Sequence, residues 1–377
     1  MNKNLMALAC VSVLGVFTAG SAAAQEVVKI GQASPLTGGN APYGKDLENA
    51  VNMAIDEANA QGIKIGGKPV KFVIDAVDDQ ADPRTGVTVA QQLVDDKVDV
   101  VIGHFNSGTT LPASKIYSEA GIPMITPAAT NPAITQSGSK TIFSIIASDA
   151  QNAGNAGMYA VQVTKAKRIA IIDDRTAFGQ GEADEFEKAV KAAKGTIVAH
   201  EYTDSKAVDF SAQLTHIKSV NADLVFFAGL NPQAASVAKK MKQLDMKAQL
   251  VGGGGVMEPT FLSLAGDSAE GAMAWEYGQP LSSLPKGADF AAKYKAKFGT
   301  EMLSYAPFGY DATWAAIKAM EAAKSTKPSA YVPMLRSRTV DGITGKIRFS
   351  ATGALLNPAS TLYVVKGGQW TVVTVKE

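Results

Sequence analysis

Short β-rich runs alternate with helical patterns along most of this chain, and they do so in two successive series. In the first, Val27 to Ala33, Val70 to Val77, Val98 to Gly103 and Ile122 to Thr126 read as strands. The segment after the first run places Leu47, Ala50, Val51, Ala54, Ile55 and Ala58 on one helical face and stops near Gly62. A second series begins at Lys167, with strands at Arg168 to Asp173, Thr196 to Tyr202, Asp223 to Ala228 and Gln249 to Val251. A helix between two strands carries the chain back across the sheet, so successive strands pair in parallel. The expectation is an α/β fold of two similar lobes, each a parallel-type sheet with helices on both faces. Local likeness supports the repeat: Tyr43-Gly44 has a counterpart in Phe178-Gly179, and Val98 to Gly103 resembles Ala222 to Phe227.

After Trp275 the pattern turns helical at Ala288 to Phe298, Phe308 to Ala323 and Tyr331 to Arg336. Thr361 to Lys366 and Gln369 to Val375 around Gly367-Gly368 then read as a hairpin. At the other end, Lys3 precedes an apolar run from Leu5 to Val16 and a small-residue stretch ending Ala22-Ala23-Ala24. This is the pattern of a secretory signal peptide over residues 1–24, cleaved after Ala24, which places the mature chain in the periplasm. The run is shorter than the roughly 20 residues a membrane span needs. Cys10, the one cysteine, lies inside it, so the mature chain has no disulfide and no thiol chemistry. Lipidation of Cys10 is the lesser alternative, because Ala7-Leu8-Ala9 is a poor lipoprotein signal. With 36 basic and 35 acidic side chains the chain lacks the basic excess of a nucleic-acid binder.

In open α/β sheets ligands lie beyond the carboxyl ends of the strands. Six segments qualify: Pro35 to Gly44, His104 to Thr110, Pro127 to Asn131, Asp174 to Gly181, Gly229 to Pro232 and Gly252 to Gly255. Ser107-Gly108-Thr109-Thr110 opens a helical pattern, where hydroxyls and free N–H groups suit a carboxylate. Capping is the plainer use of these residue types. Gly179-Gln180-Gly181 fails the dinucleotide fingerprint, since Asp173 to Phe178 intervene and Asp184 stands at the last glycine position. Gly252 to Gly255 lacks the Lys-Ser/Thr ending of a phosphate loop. His104, His200 and His216 have no metal-ligand spacing, and no nucleophile elbow occurs. His104 reads as a buried, hydrogen-bonded histidine, and Asp78-Asp79 and Asp173-Asp174 as turn or helix caps. No cofactor, metal or catalytic residue is expected.

Several segments together resemble the periplasmic leucine/isoleucine/valine-binding proteins, the type I solute-binding components of ABC importers. The likeness is carried by Pro35-Leu36-Thr37-Gly38 with Tyr43-Gly44, Asp78-Asp79 with Asp82-Pro83, and Gly103-His104 followed by Ser107. Pro112-Ala113-Ser114, Pro127 to Pro132, Phe178 to Gly181, and Ala265-Gly266-Asp267 with Glu270-Gly271 extend it over nearly the whole mature chain. The resemblance implies two lobes joined by three crossings, 25–146 plus 278–350 and 147–277 plus 351–377, closing around a solute. It further implies a membrane ABC permease as partner and a branched-chain amino acid as the default cargo. Ser107 and Thr130 would bind the ligand carboxylate, the Ala128 carbonyl its ammonium, and Tyr43 would pack on it.

Three departures from the family pattern stand out. Gly254 occupies the position of a glutamate that faces the ligand ammonium, Phe178 and Leu230 replace two tyrosines, and Ala81 and Asn106 replace two cysteines. An unpaired ammonium in a closed cleft costs several kcal/mol, so another acid must substitute if the cargo is an amino acid. Asp149 and Glu258 are the candidates. The alternative cargo is an amine-free carboxylate such as an aromatic acid. An enzyme on the same fold would need a cofactor fingerprint or an activated nucleophile, and a ligand-sensing regulator would lack the export signal.

Overall fold

The computed structural model describes residues 25–377; the expected signal peptide lies outside them. Strands β1 (Glu26–Ser34), β2 (Lys64–Ile65), β3 (Lys68–Asp78), β4 (Val100–Gly103), β5 (Met124–Thr126) and β6 (Ile142–Ser144) form one sheet in the order β2-β3-β1-β4-β5-β6. Strands β7 (Ile169–Asp173), β8 (Ile197–Tyr202), β9 (Leu224–Ala228), β10 (Gln249–Gly252) and β11 (Met273–Tyr277) belong to the second. A two-stranded ribbon, β12 (Val340–Asp341) and β13 (Lys346–Ile347), precedes the terminal hairpin β14 (Ser360–Lys366) and β15 (Gln369–Lys376). The second sheet runs β15-β14-β11-β10-β9-β7-β8.

Two different stretches of chain therefore build the same parallel core. In each, the first strand of the unit has the second on one side and the third, fourth and fifth in order on the other. The crevice opens where that order reverses, between the ends of β1 and β4 and between those of β7 and β9. The antiparallel members, β2 in one sheet and β14 with β15 in the other, extend the edges. The chain passes between the sheets after β6, after β11 and before β14.

Alternation along the strands feeds an apolar layer on each face. Val28, Ile30, Phe72, Val100 and Ile102 pack under the helices Ala41–Ala60 and Ala306–Ala323. Ala33, Val77, Val101 and Met124 face Pro83–Asp95 and Ser107–Ala120 on the other side. In the second sheet Ile172, Val225 and Phe227 form one layer, and Ile171, Phe226 and Trp275 the other. Burial on both faces explains why the central strands read as continuous apolar runs. Among the described residues no helix is long and apolar enough to cross a membrane.

Strands β2, β6 and β11 were not anticipated. Nor were β12 and β13; β2, β6, β12 and β13 span two or three residues, too few for a period to show, and β11 carries Ala274 and Glu276, residue types depleted in strands. The helix expected from Phe308 begins at Ala306, with Pro307 in its first turn.

Candidate functional site

The segments beyond the two crevices face each other. Tyr43, buried on Ala41–Ala60, stacks on Phe105 with ring centroids 4.9 Å apart. Its hydroxyl donates to the Gly255 carbonyl of the second sheet at 3.4 Å and accepts from Asn231 Nδ2. Tyr305 meets both rings edge-on, at 5.8 and 5.0 Å. Leu230 is the N-cap of the helix Asn231–Gln243 and packs onto this aromatic cluster. Asn131 Nδ2 donates to the Ala177 carbonyl at 2.8 Å, next to half-buried Phe178 on the helix Ala177–Ala192.

Ser107 and Thr130 come together at the first crevice, both almost fully buried. The Ser107 hydroxyl accepts from the Asn131 N–H at 3.3 Å, while the Thr130 hydroxyl accepts from Tyr277 Oη at 3.4 Å. The plain capping role is not what these hydroxyls perform. Asn106 is the N-cap without a side-chain bond, and Thr109 and Thr110 donate to its carbonyl at 2.9 and 2.8 Å. Two oxygen-bearing side chains therefore sit at a helix N-terminus whose first N–H groups are not capped by them, an arrangement suited to a carboxylate. Ala128 is buried nearby, its N–H directed to Thr126 Oγ1 at 3.4 Å.

Asp149 opens the helix Asp149–Gln162 and donates its N–H to the Thr130 carbonyl at 3.0 Å. Its carboxyl is fully buried and no N–H group or cation meets it; the Thr130 hydroxyl is the polar group beside it. Burial pushes its pKa up to about 7, partly offset by the Thr130 hydroxyl. Glu258 lies elsewhere: it accepts from the Ser304 N–H at 3.2 Å, and burial raises it to about 7. Asp149 is thus the one of the two candidate acids placed beside Thr130.

Two further acids were missed. Glu182, fully buried, accepts from the Gly254 N–H at 2.8 Å, and burial first, then the neighbouring Asp149, raises its pKa. Glu276 accepts from Gly255 and Tyr277 N–H groups at 3.1 and 3.2 Å, and burial raises it to about 8. One signal pointed to Glu182, because it falls one helical turn after Phe178 on the same face. Glu276 and Tyr277 end the unanticipated strand β11. Among the described residues no Lys, Arg or His forms an ion pair with any of these four acids.

Gly254 has a steric cause. A Cβ there would lie 2.1 Å from the Tyr277 ring, and one at Gly253 would lie 2.1 Å from the Glu182 carboxylate. Tyrosine and glutamate from neighbouring elements fill the space that side chains on this loop would take. Beyond them a cavity of about 230 Å³ is lined by Glu258, Glu276, Tyr277, Leu303, Phe308 and Tyr363.

His104 is buried as expected, with Nδ1 2.7 Å from Asp79 Oδ2 and Nε2 3.1 Å from Tyr117 Oη. Asp78 accepts from Leu36 and Gln80 N–H groups and Asp174 from Thr176, so these carboxylates close turns.

Comparison with known proteins bears on this arrangement. The description of the periplasmic binding protein family fits residues 27–369. A Leu/Ile/Val-binding protein homolog of Brucella suis biovar 1 is 33% identical over 367 residues, spanning 96% of each chain. A leucine-, isoleucine-, valine-, threonine- and alanine-binding protein of Pseudomonas aeruginosa is 32% identical over 340 residues, 90% of each. The crystal structure of the leucine-binding protein LivK of Thermotoga maritima superposes with a TM-score of 0.84 at 25% identity, covering 92% of this chain and 98% of that one. With a match across nearly all the described residues and two sheets of repeated topology meeting at their strand ends, the chain belongs to the periplasmic binding protein family.

Proposed function

We infer that this chain is an exported solute-binding protein that closes around a small α-amino acid and delivers it to a membrane ABC permease, without performing chemistry on it. In this reading residues 1–24 are the cleaved signal, and 25–146 plus 278–350 and 147–277 plus 351–377 are the lobes. Ser107 and Thr130 hold the carboxylate, Ala128 and Asp149 the ammonium, and Tyr43, Phe178, Leu230 and the Gly254 loop enclose the rest.

The carrying observation is Asp149, a buried carboxyl beside the Thr130 hydroxyl that no N–H group or cation meets. A buried carboxyl with no cation of its own is a good neighbour for an ammonium. The names of the relatives, which specify aliphatic amino acids, agree with that choice. A thermal-shift screen of ligand-stripped mature protein tests it, using the proteinogenic amino acids and their amine-free counterparts. Stabilisation by aliphatic amino acids, rising with the logarithm of concentration, is expected. Stabilisation by amine-free acids alone would replace the amino-acid reading with a carboxylate carrier.

A further inference from the structure

Glu182 and Asp149 come from two helices that pack along each other, Ala177–Ala192 and Asp149–Gln162. Glu182 spends Oε1 on the Gly254 N–H, while its Oε2 has no partner and the residue is 0% exposed. Asp149, also 0% exposed, has neither oxygen met by an N–H group or a cation. A Cβ added at Gly181 would lie 3.1 Å from Asp149 Oδ2, and one at Gly253 about as close to Glu182 as a covalent neighbour, so small residues flank both carboxyls. A neutral side chain adds an independent sign. Asn152, one turn beyond Asp149, donates Nδ2 to the Trp275 carbonyl at 3.0 Å, which leaves its Oδ1 buried and unmet. Buried acceptors are nearly always met by donors, and here four buried oxygens of Asp149, Glu182 and Asn152 have no N–H or cationic donor, the Thr130 hydroxyl being the neighbouring hydroxyl beside Asp149. The titratable groups around Glu182 are Asp149, Asp174, Glu276, Tyr277 and Tyr305, none of them cationic.

We propose that Glu182 and Asp149 together form a two-carboxylate seat that selects a primary ammonium, which makes Glu182 a specificity-determining residue. The proposal rests on the amino-acid reading and adds a residue and a selection rule to it. A primary ammonium brings three N–H donors and little bulk. An N-methyl group removes one donor and introduces a methyl beside buried carboxylates, so N-alkylated ligands are rejected.

The test is isothermal titration at pH 8 of wild type, Glu182→Gln and Asp149→Asn. The probes are the tightest-binding proteinogenic amino acid, its N-methyl derivative and its amine-free counterpart. Glu182→Gln retains the acceptor for Gly254 and removes a buried charge, so its unliganded melting temperature rises or holds. Its affinity for the amino acid falls at least about 30-fold, as expected when one partner of a buried charge pair is removed. Wild type binds the N-methyl derivative at least about 10-fold more weakly, and the Gln variant loses most of that preference. A folded Glu182→Gln protein with affinity and N-methyl discrimination within about threefold of wild type overturns the seat while leaving the amino-acid reading intact. Wild type that binds only the amine-free acid overturns both.

Discussion

Single side chains decide most of what this site is able to hold. Ser107→Ala and Thr130→Ala should each weaken amino-acid binding by about 1–3 kcal/mol, the usual worth of a hydrogen bond to a charged group. Titration calorimetry reads this directly, and unchanged affinity in both variants would move the carboxylate elsewhere. Asp149→Asn should raise the melting temperature of the unliganded chain, since it removes a buried acid with no cationic partner, yet cripple amino-acid binding. Gly254→Glu should fail to improve binding. Its Cβ would meet the Tyr277 ring at 2.1 Å, and overpacking of that kind costs roughly 1–3 kcal/mol in stability. Ser107 and Thr130 were legible because each lies in the segment beyond a strand, and Asp149 through the family resemblance at the first crossing. Glu182 was overlooked because a charged residue inside a helical pattern ordinarily faces water, and its spacing from Phe178 is the one local sign to the contrary.

At the scale of elements, hydrogen-bonded acids and one histidine set the loops that carry these residues. Asp79, His104 and Tyr117 tie the ends of β3 and β4 to the helix that begins at Ser107. Tyr117→Phe removes one of these bonds and should cost about 1 kcal/mol by urea denaturation. A similar loss is expected at Asp82, whose carboxylate accepts from Arg84 and Thr85 N–H groups at 2.9 Å and caps the helix Pro83–Asp95. Replacing such a cap by alanine typically costs about 1 kcal/mol. Helices with a clear apolar stripe and strands with an apolar run between turn residues were legible. Strands β2, β6 and β11 were not, because their pairing depends on a neighbour already being in place.

For the whole molecule, four buried acids at the junction of the two sheets make stability depend on pH. Asp149 and Glu258 are raised to about 7 and Glu276 to about 8, all chiefly by burial. Their folded values exceed their unfolded ones, so the folded state retains protons that the unfolded chain has released. The stabilisation is fully present below about pH 4, near the unfolded values, and is lost as pH rises through 7 and 8. The urea midpoint of the ligand-free protein should therefore fall between pH 5 and pH 8.5. Binding of an ammonium works in the opposite sense, because it favours the ionised carboxyls and expels protons. Amino-acid affinity should tighten over the same interval, whereas an amine-free acid should bind more weakly. Calorimetry at several pH values, in buffers of different ionisation enthalpy, separates the two outcomes.

The residue pattern alone determined the alternation of strands and helices, the doubled unit, and the likeness that places Ser107, Thr130 and Tyr43 in the segments beyond strand ends. Those features are local, repeating every two residues in a strand and every 3.6 in a helix, so a linear chain displays them. Only the tertiary structure brought Glu182 against Gly254, Tyr277 into the space beside that glycine, and Glu276 to the Gly255 loop. These residues lie tens of positions apart on different elements, and their chemistry depends on burial. Burial is what raises the pKa of these carboxyls, and it exists only once the two sheets have met.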